Sequence, residues 1–136
     1  MLTLPKIWIV DDDPCFRILF ETQIKQCCRE ANIEFYSDGR WAMDALRRRV
    51  NKPLKEDLPN LIFLDVNMPI LNAHRFLDEW RSELLLFESN IQIVVVSANV
   101  NQLDSLHYNH NIVTSTLTKP IVSQDLESVL KANQMV

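Results

Sequence analysis

The amino-acid sequence predicts an α/β fold, a five-stranded parallel sheet with five helices distributed over both faces. Three observations carry this. Continuous apolar runs at residues 7–10 and 61–64, and further short strand-like stretches at 33–36, 91–96 and 112–117, are bounded by polar or turn-forming residues, as strands of a buried sheet are. Between them, apolar residues spaced by three and four mark amphipathic helices. The two kinds of segment alternate from end to end, which calls for right-handed crossovers that cover both faces of the sheet.

Taken in order, the first run, Ile7-Trp8-Ile9-Val10, follows Pro5 and ends in three acids, Asp11, Asp12 and Asp13. Pro14 suits the first turn of a helix, and Asp13 is placed to cap it. Phe16, Leu19, Phe20, Ile24 and Cys27 form the inner stripe of that helix, which is expected to end near Asn32. Residues 33–36 are the second strand. Ser37, Asp38 and Gly39 make a turn, and Trp41, Ala42, Ala45, Leu46 and Val50 line the second helix. Arg47, Arg48 and Arg49 close it, where positive charge suits the helix dipole, and read as a solvated end rather than a binding patch.

Residues 51–60, with Pro53 and Pro59, are a polar loop in which mobility is expected. The central strand, Leu61-Ile62-Phe63-Leu64, ends on Asp65, and Pro69 turns the chain out of it. A third helix carries Phe76, Leu77, Trp80, Leu84 and Leu85 on one stripe. The fourth strand leads into Ser97, Ala98 and Asn99, and residues 100–110 form a weak helix around Leu103 and Leu106. The fifth strand leads to Thr118, Lys119 and Pro120. The last helix starts near Ser123, which is placed to cap it, with Leu126, Val129 and Leu130 inward.

The bulk properties exclude several classes of function. A chain of 136 residues, 47% hydrophobic, is of a size for one domain with its own core, so residues 1–136 are expected to form one unit with no output domain. A net charge of -4 and no long basic run argue against direct nucleic-acid binding. No apolar stretch approaches the roughly 20 residues of a membrane span, and the first residues lack a signal-peptide pattern, so a cytoplasmic protein is expected. Cys15, Cys27 and Cys28 lack metal-binding spacing and read as reduced packing residues. With a single glycine, the chain has no Gly-rich phosphate loop. Trp8, Trp41 and Trp80 fall on or beside apolar stripes and read as packing residues. His74, His107 and His110 share no strand end and have no Glu partner at metal spacing, so surface or cap positions are assigned to them.

Four strand ends carry distinctive polar groups: Asp11 to Asp13, Asp65, Ser97 and Lys119. In a parallel sheet those ends lie on one edge, so residues distant in sequence converge on one cleft. An acid at the end of the central strand is a metal ligand, a nucleophile or both; the alternative is a helix cap or loop acid. Several carboxylates at close range repel one another unless a divalent cation neutralises them, and an all-oxygen set with water left over suits Mg²⁺. An acid, a cation, a hydroxyl and a lysine together describe a phosphoryl site, with Asp65 attacking and Ser97 and Lys119 stabilising the transferred group.

These residues carry a resemblance. Val10-Asp11-Asp12-Asp13-Pro14, Leu64-Asp65-Val66-Asn67-Met68-Pro69, Val96-Ser97-Ala98 and Thr118-Lys119-Pro120 resemble the receiver domain of two-component response regulators, of the stand-alone type, over nearly the whole chain. The resemblance implies a doubly wound, flavodoxin-like sheet of order 2-1-3-4-5. It implies Asp65 as phosphoacceptor, Asp12 as direct Mg²⁺ ligand beside Asp65 and the backbone carbonyl of Asn67, and Asp11 acting through water. Ser97 matches the switch hydroxyl and Lys119 the phosphate-binding lysine, with Pro120 following through a cis bond. Val66, Ala98 and Asn99 would flank the phosphoryl group, Asn67 and Asn99 tuning its loss. The implied donor is a histidine kinase or phosphotransfer protein, and the implied output is altered binding of a protein target through the fourth helix, fifth strand and fifth helix.

The chain also departs from the family pattern. Leu71, Asn72 and Ala73 stand where Asp-Gly is usual, which assigns to Asn72 the left-handed conformation that glycine would take. Thr116 stands at the switch aromatic, leaving Ser97 and the loop after it to carry the signal. The alternative reading is a degenerate receiver that docks independently of phosphorylation. A phosphatase that turns over small substrates is disfavoured, because Asn67 occupies the place of its second aspartate. The expected protein is therefore a participant in its own phosphotransfer and self-dephosphorylation, not a multiple-turnover enzyme.

Overall fold

A computed structural model describes residues 4–50, 57–68, 71–83, 90–109 and 112–136, with the side chains of all of these but 105–109. The chain runs β1 (Lys6–Val10), α1 (Pro14–Cys27), β2 (Asn32–Tyr36), α2 (Gly39–Val50), β3 (Leu61–Asp65), α3 (Ala73–Ser82), β4 (Gln92–Ser97), α4 (Val100–Asn109), β5 (Val113–Thr118) and α5 (Ser123–Ala132). The strands form one parallel sheet in the order β2-β1-β3-β4-β5, the doubly wound arrangement expected.

The sheet sorts its residues by their twofold alternation. Ile7, Ile9, Leu61, Phe63, Val94 and Val96 point to one face, where they pack with Phe20 and Ile24 of α1 and Leu126 and Leu130 of α5. Trp8, Val10, Ile62, Leu64, Ile93 and Val95 point to the other, against Ala42 and Leu46 of α2, Phe76 and Trp80 of α3 and Leu103 of α4. Because β1 and β3 lie between these two layers, both are apolar at every position that faces a helix. Phe20 meets Phe63 edge to face at 4.7 Å between centroids, joining α1 to the central strand.

Several local expectations are corrected. Helix α1 stops at Cys27, not near Asn32: the Cys28 amide closes the last turn on the Ile24 carbonyl, and the Asn32 amide already donates to Pro5 beside β1. Leu19 and Trp41, placed on inner stripes by their spacing, are 66% and 65% exposed, because each helix buries a narrower stripe than its apolar residues span. Cys15 is exposed rather than packed. The N-cap of α5 is Val122, with no side-chain hydrogen bond, so Ser123 does not cap it. Asn72 adopts φ -73° and caps α3 by accepting from the Arg75 amide, instead of turning left-handed. Two of the three arginines ending α2 are tied down: Arg47 reaches Glu83 at 2.9 Å, and Arg49 pairs with Glu34 at 3.2 Å and lies over the Trp8 ring, while Arg48 is exposed.

The one glycine is used for space. A Cβ on Gly39 would lie 2.5 Å from the backbone oxygen of Leu71, where the start of α2 presses on the chain entering α3. Most of the loop expected over 51–60 lies outside the described residues, as do Pro69, Leu84, Leu85, His110 and the side chains of Leu106 and His107.

Candidate functional site

The strand order reverses around β1 and β3, and there the carboxyl ends of the strands open a crevice. Register sets what lines it. Val10 pairs with Leu64, Asp65 with Val96 and Ser97 with Thr118, so Asp11, Asp65, Ser97 and Lys119 fall in one row along the edge. The loops extend the ladder by one step, with the Asp11 amide donating to Tyr36 and the Lys119 amide to Ser97. The Lys119-Pro120 bond is cis.

Asp11 and Asp65 are buried and Asp12 is exposed at the rim, yet one oxygen of each lies within 4.8 Å of the others. The Lys119 ammonium donates to Asp11 Oδ2 at 2.8 Å and stands 3.5 Å from Asp65 Oδ1. Its other side faces the Phe16 ring, 4.1 Å from the centroid. Asp13 points away from the crevice, its carboxylate accepting from the Cys15 and Phe16 amides to cap α1, while its own amide donates to Asp11 Oδ1. The three acids after β1 are thus divided among a buried ion pair, a rim carboxylate and a helix cap.

Burial, reinforced by the charge of Asp11 and offset in part by Lys119, pushes the Asp65 carboxyl up to about 6. For Lys119, burial pulls downward, but the hydrogen bond to Asp11 and the charges of Asp65 and Asp11 outweigh it and hold the ammonium above its ordinary value. Three carboxylates meeting one ammonium leave two negative charges uncompensated. An oxygen-only donor set with that excess charge suits a hard divalent cation.

Ser97 is 1% exposed and fully engaged. Its hydroxyl donates to Gln102 Oε1 at 2.9 Å and accepts from the Asn99 amide at 3.0 Å. Gln102 also exchanges two amide hydrogen bonds with Asn67, at 3.2 and 3.3 Å. Val66 and Asn99 stand beside these groups; the Val66 amide donates to Val96, and the Asn99 side chain accepts from the Asn101 amide at the start of α4. Thr116 is half-buried within β5.

Gln102 and the contact of Phe16 with Lys119 belong to no motif of the sequence. A signal for both existed. Each is the third residue of a helix that starts just after a strand end, and helical side chains lean toward the helix N-terminus, so a long side chain there reaches back over the sheet edge.

Known proteins share this fold. Residues 7–131 match the family model of the response regulator receiver domain. The chain is similar to the probable methanogenesis regulatory protein FilR2 of Methanothrix harundinacea (strain 6Ac), 25% identical over 125 residues, covering 92% of this chain and 78% of that protein. Among solved structures, a two-component response regulator from Cytophaga hutchinsonii superposes with a TM-score of 0.81 at 18% identity, covering 98% of each chain. The bacteriophytochrome response regulator RtBRR gives 0.80 at 20% identity, covering 98% of this chain and 80% of its own. The phosphorylated cyanobacterial phytochrome response regulator RcpA gives 0.71 at 25% identity, covering 95% and 90%.

Proposed function

The chain belongs to the response regulator receiver family, and from that premise we propose that it takes a phosphoryl group onto Asp65 from a histidine kinase or phosphotransfer protein. The observation that carries the proposal is the position of Asp65. It is a buried carboxylate at the end of the central strand, within reach of two further acids and of Lys119. Asp12, Asp65 and the backbone carbonyl of Asn67 would hold Mg²⁺, with Asp11 acting through water, and the ion would supply charge neutralisation for the incoming phosphoryl oxygens.

The residues of the chain divide the work. An Asp65 oxygen bonds to phosphorus as the bond to the donor imidazole breaks, and the imidazole retains the electron pair. Lys119 is already poised between Asp11 and Asp65, so its ammonium can follow the negative charge as it moves from carboxylate to phosphoryl oxygens. Ser97 supplies a hydroxyl donor from the end of β4, and Asn67 and Asn99 flank the group and set how readily water removes it. The product is an acyl phosphate, labile enough for a reversible signal. The chain acts on itself and is not a multiple-turnover enzyme. It works in the cytoplasm, and its output is altered affinity for a protein target through α4, β5 and α5. No helix among the described residues is long and apolar enough to cross a membrane.

The test is intact mass after incubation with phosphoramidate or acetyl phosphate, with and without Mg²⁺, for wild type and Asp65→Asn. A gain of one phosphoryl group that needs Mg²⁺ and is lost in the variant supports the proposal. No gain in a folded, Mg²⁺-binding protein favours the phosphorylation-independent docking module instead.

A further inference from the structure

We propose that Gln102 is a latch: it holds the Ser97 hydroxyl and the Asn67 amide in the unphosphorylated arrangement and must give up Ser97 before the phosphoryl group is fully held. The inference rests on the reading of Asp65 as phosphoacceptor. It assigns to Gln102 a positioning role, acting through Ser97 and joining the site to α4.

A serine hydroxyl has one proton to donate. In this structure that proton goes to Gln102 Oε1 at 2.9 Å, while the hydroxyl oxygen is occupied by the Asn99 amide at 3.0 Å. Ser97 therefore has nothing left to donate to a phosphoryl oxygen until the Gln102 bond opens. Its burial keeps water from taking over either bond. Gln102 is held in place from the other side by its paired bonds with Asn67, so one side chain of α4 grips residues at the ends of both β3 and β4.

A phosphoryl oxygen is a charged acceptor, and hydrogen bonds to charged acceptors are roughly twice as strong as neutral ones. The hydroxyl accordingly turns from Gln102 to the phosphoryl group once it arrives. Gln102 Oε1 loses one of its two donors, and α4 loses its side-chain tie to the end of β4. This gives α4 a direct report of phosphorylation in a chain that carries Thr116, with no ring, within β5.

The test compares the phosphoramidate labelling rate at fixed Mg²⁺ for wild type, Gln102→Leu, Gln102→Met, Ser97→Ala and the Gln102→Leu/Ser97→Ala double variant. A net hydrogen bond of about 1 kcal/mol corresponds to a change of about fivefold. Both Gln102 variants are expected to label about fivefold faster than wild type, and Gln102→Leu is expected to have a much smaller effect when Ser97 is already alanine, where only its bonds to Asn67 remain to be lost. Amide hydrogen exchange in α4 of unphosphorylated Gln102→Leu should rise at least to the level of phosphorylated wild type. Labelling of both Gln102 variants at the wild-type rate overturns the latch, as does an equal acceleration in the Ser97→Ala background. If wild type itself takes no phosphoryl group, the reading of Asp65 fails first and the latch falls with it.

Discussion

The Lys119 ammonium donates to Asp11 Oδ2 at 2.8 Å, and the Asp11 side chain is almost wholly shielded from solvent. This pair links the loop after β1 to the loop after β5, across the whole crevice in which Asp65 sits. Removing one member of a buried pair leaves the other charge uncompensated, which costs far more than the net worth of the pair. Lys119→Met should therefore lose roughly 3 kcal/mol of stability in metal-free buffer near neutral pH. Mg²⁺ should restore much of it by neutralising the acids that remain. Labelling by a small phosphodonor should fall by about a hundredfold, because the charge that follows the phosphoryl oxygens is gone. Urea unfolding followed by the fluorescence of the buried Trp8 and Trp80, with and without Mg²⁺, checks the first part, and mass-spectrometric labelling rates check the second.

Asp65→Asn should stabilise the metal-free protein. The Asp65 carboxyl is pushed up to about 6 from an ordinary value of 3.8, so its charged form is disfavoured in the folded state. The folded protein then binds more protons than the unfolded chain between those values, and wild-type stability rises as pH falls from about 6 toward about 4. Above pH 6 the charged carboxylate costs about 3 kcal/mol, and asparagine removes that cost. Below pH 4 the acid is protonated in both states and the gain disappears. Unfolding curves for both proteins across this range should converge at the acid end; a constant offset would contradict the assignment.

Asp12 and Asp13 are adjacent in sequence and should behave in opposite ways. Asp13→Ala removes the acceptor for the Cys15 and Phe16 amides and should cost about 1 kcal/mol of stability while leaving Mg²⁺-dependent labelling in place. Asp12→Ala, at an exposed rim position, should leave stability nearly unchanged and raise the Mg²⁺ concentration needed for labelling at least tenfold. Thermal unfolding and a Mg²⁺ titration of the labelling rate separate the two.

Gly39→Ala tests the packing that brings α2 against the approach to α3. Alanine is the better helix former by about 1 kcal/mol, yet its Cβ would stand 2.5 Å from a backbone oxygen that no side-chain rotation can move aside. The variant should lose about 1–3 kcal/mol in urea unfolding.

These contrasts also mark what the sequence could and could not disclose. The inner strands β1, β3 and β4 and the edge formed by Asp11, Asp65 and Ser97 were legible because a strand buried on both faces is apolar along its buried length, so the next polar residue marks its end, whereas Lys119 follows the mixed Val113–Thr118 strand and was placed by the alternation of strands and helices. The Asp13 cap was legible because Pro14 fixes where α1 begins. Exposure of Leu19 and Trp41 was not, since spacing says which residues share a helix face but not how wide a stripe the sheet covers. Asn72 illustrates two uses of one residue type: asparagine suits a left-handed turn and a helix cap equally, and only the backbone reveals the cap. Gly39 looked like a turn residue, whereas its role is room for the Leu71 carbonyl. Gln102 escaped notice because a glutamine near the start of a weakly patterned helix is ordinary until the helix is placed over the sheet edge.

The central claim is that Asp65 is the residue that carries the phosphoryl group. Its most direct test is borohydride reduction of the protein after phosphodonor and Mg²⁺ treatment, followed by peptide mass spectrometry. An acyl phosphate reduces to the alcohol while a free carboxylate does not, so the modified aspartate is converted to homoserine and located by sequence. The account predicts homoserine at position 65, absent without Mg²⁺ or without the donor, and none at Asp11, Asp12 or Asp13. Homoserine at one of those three positions, or a phosphoryl gain in intact mass with an unreduced Asp65, would contradict it.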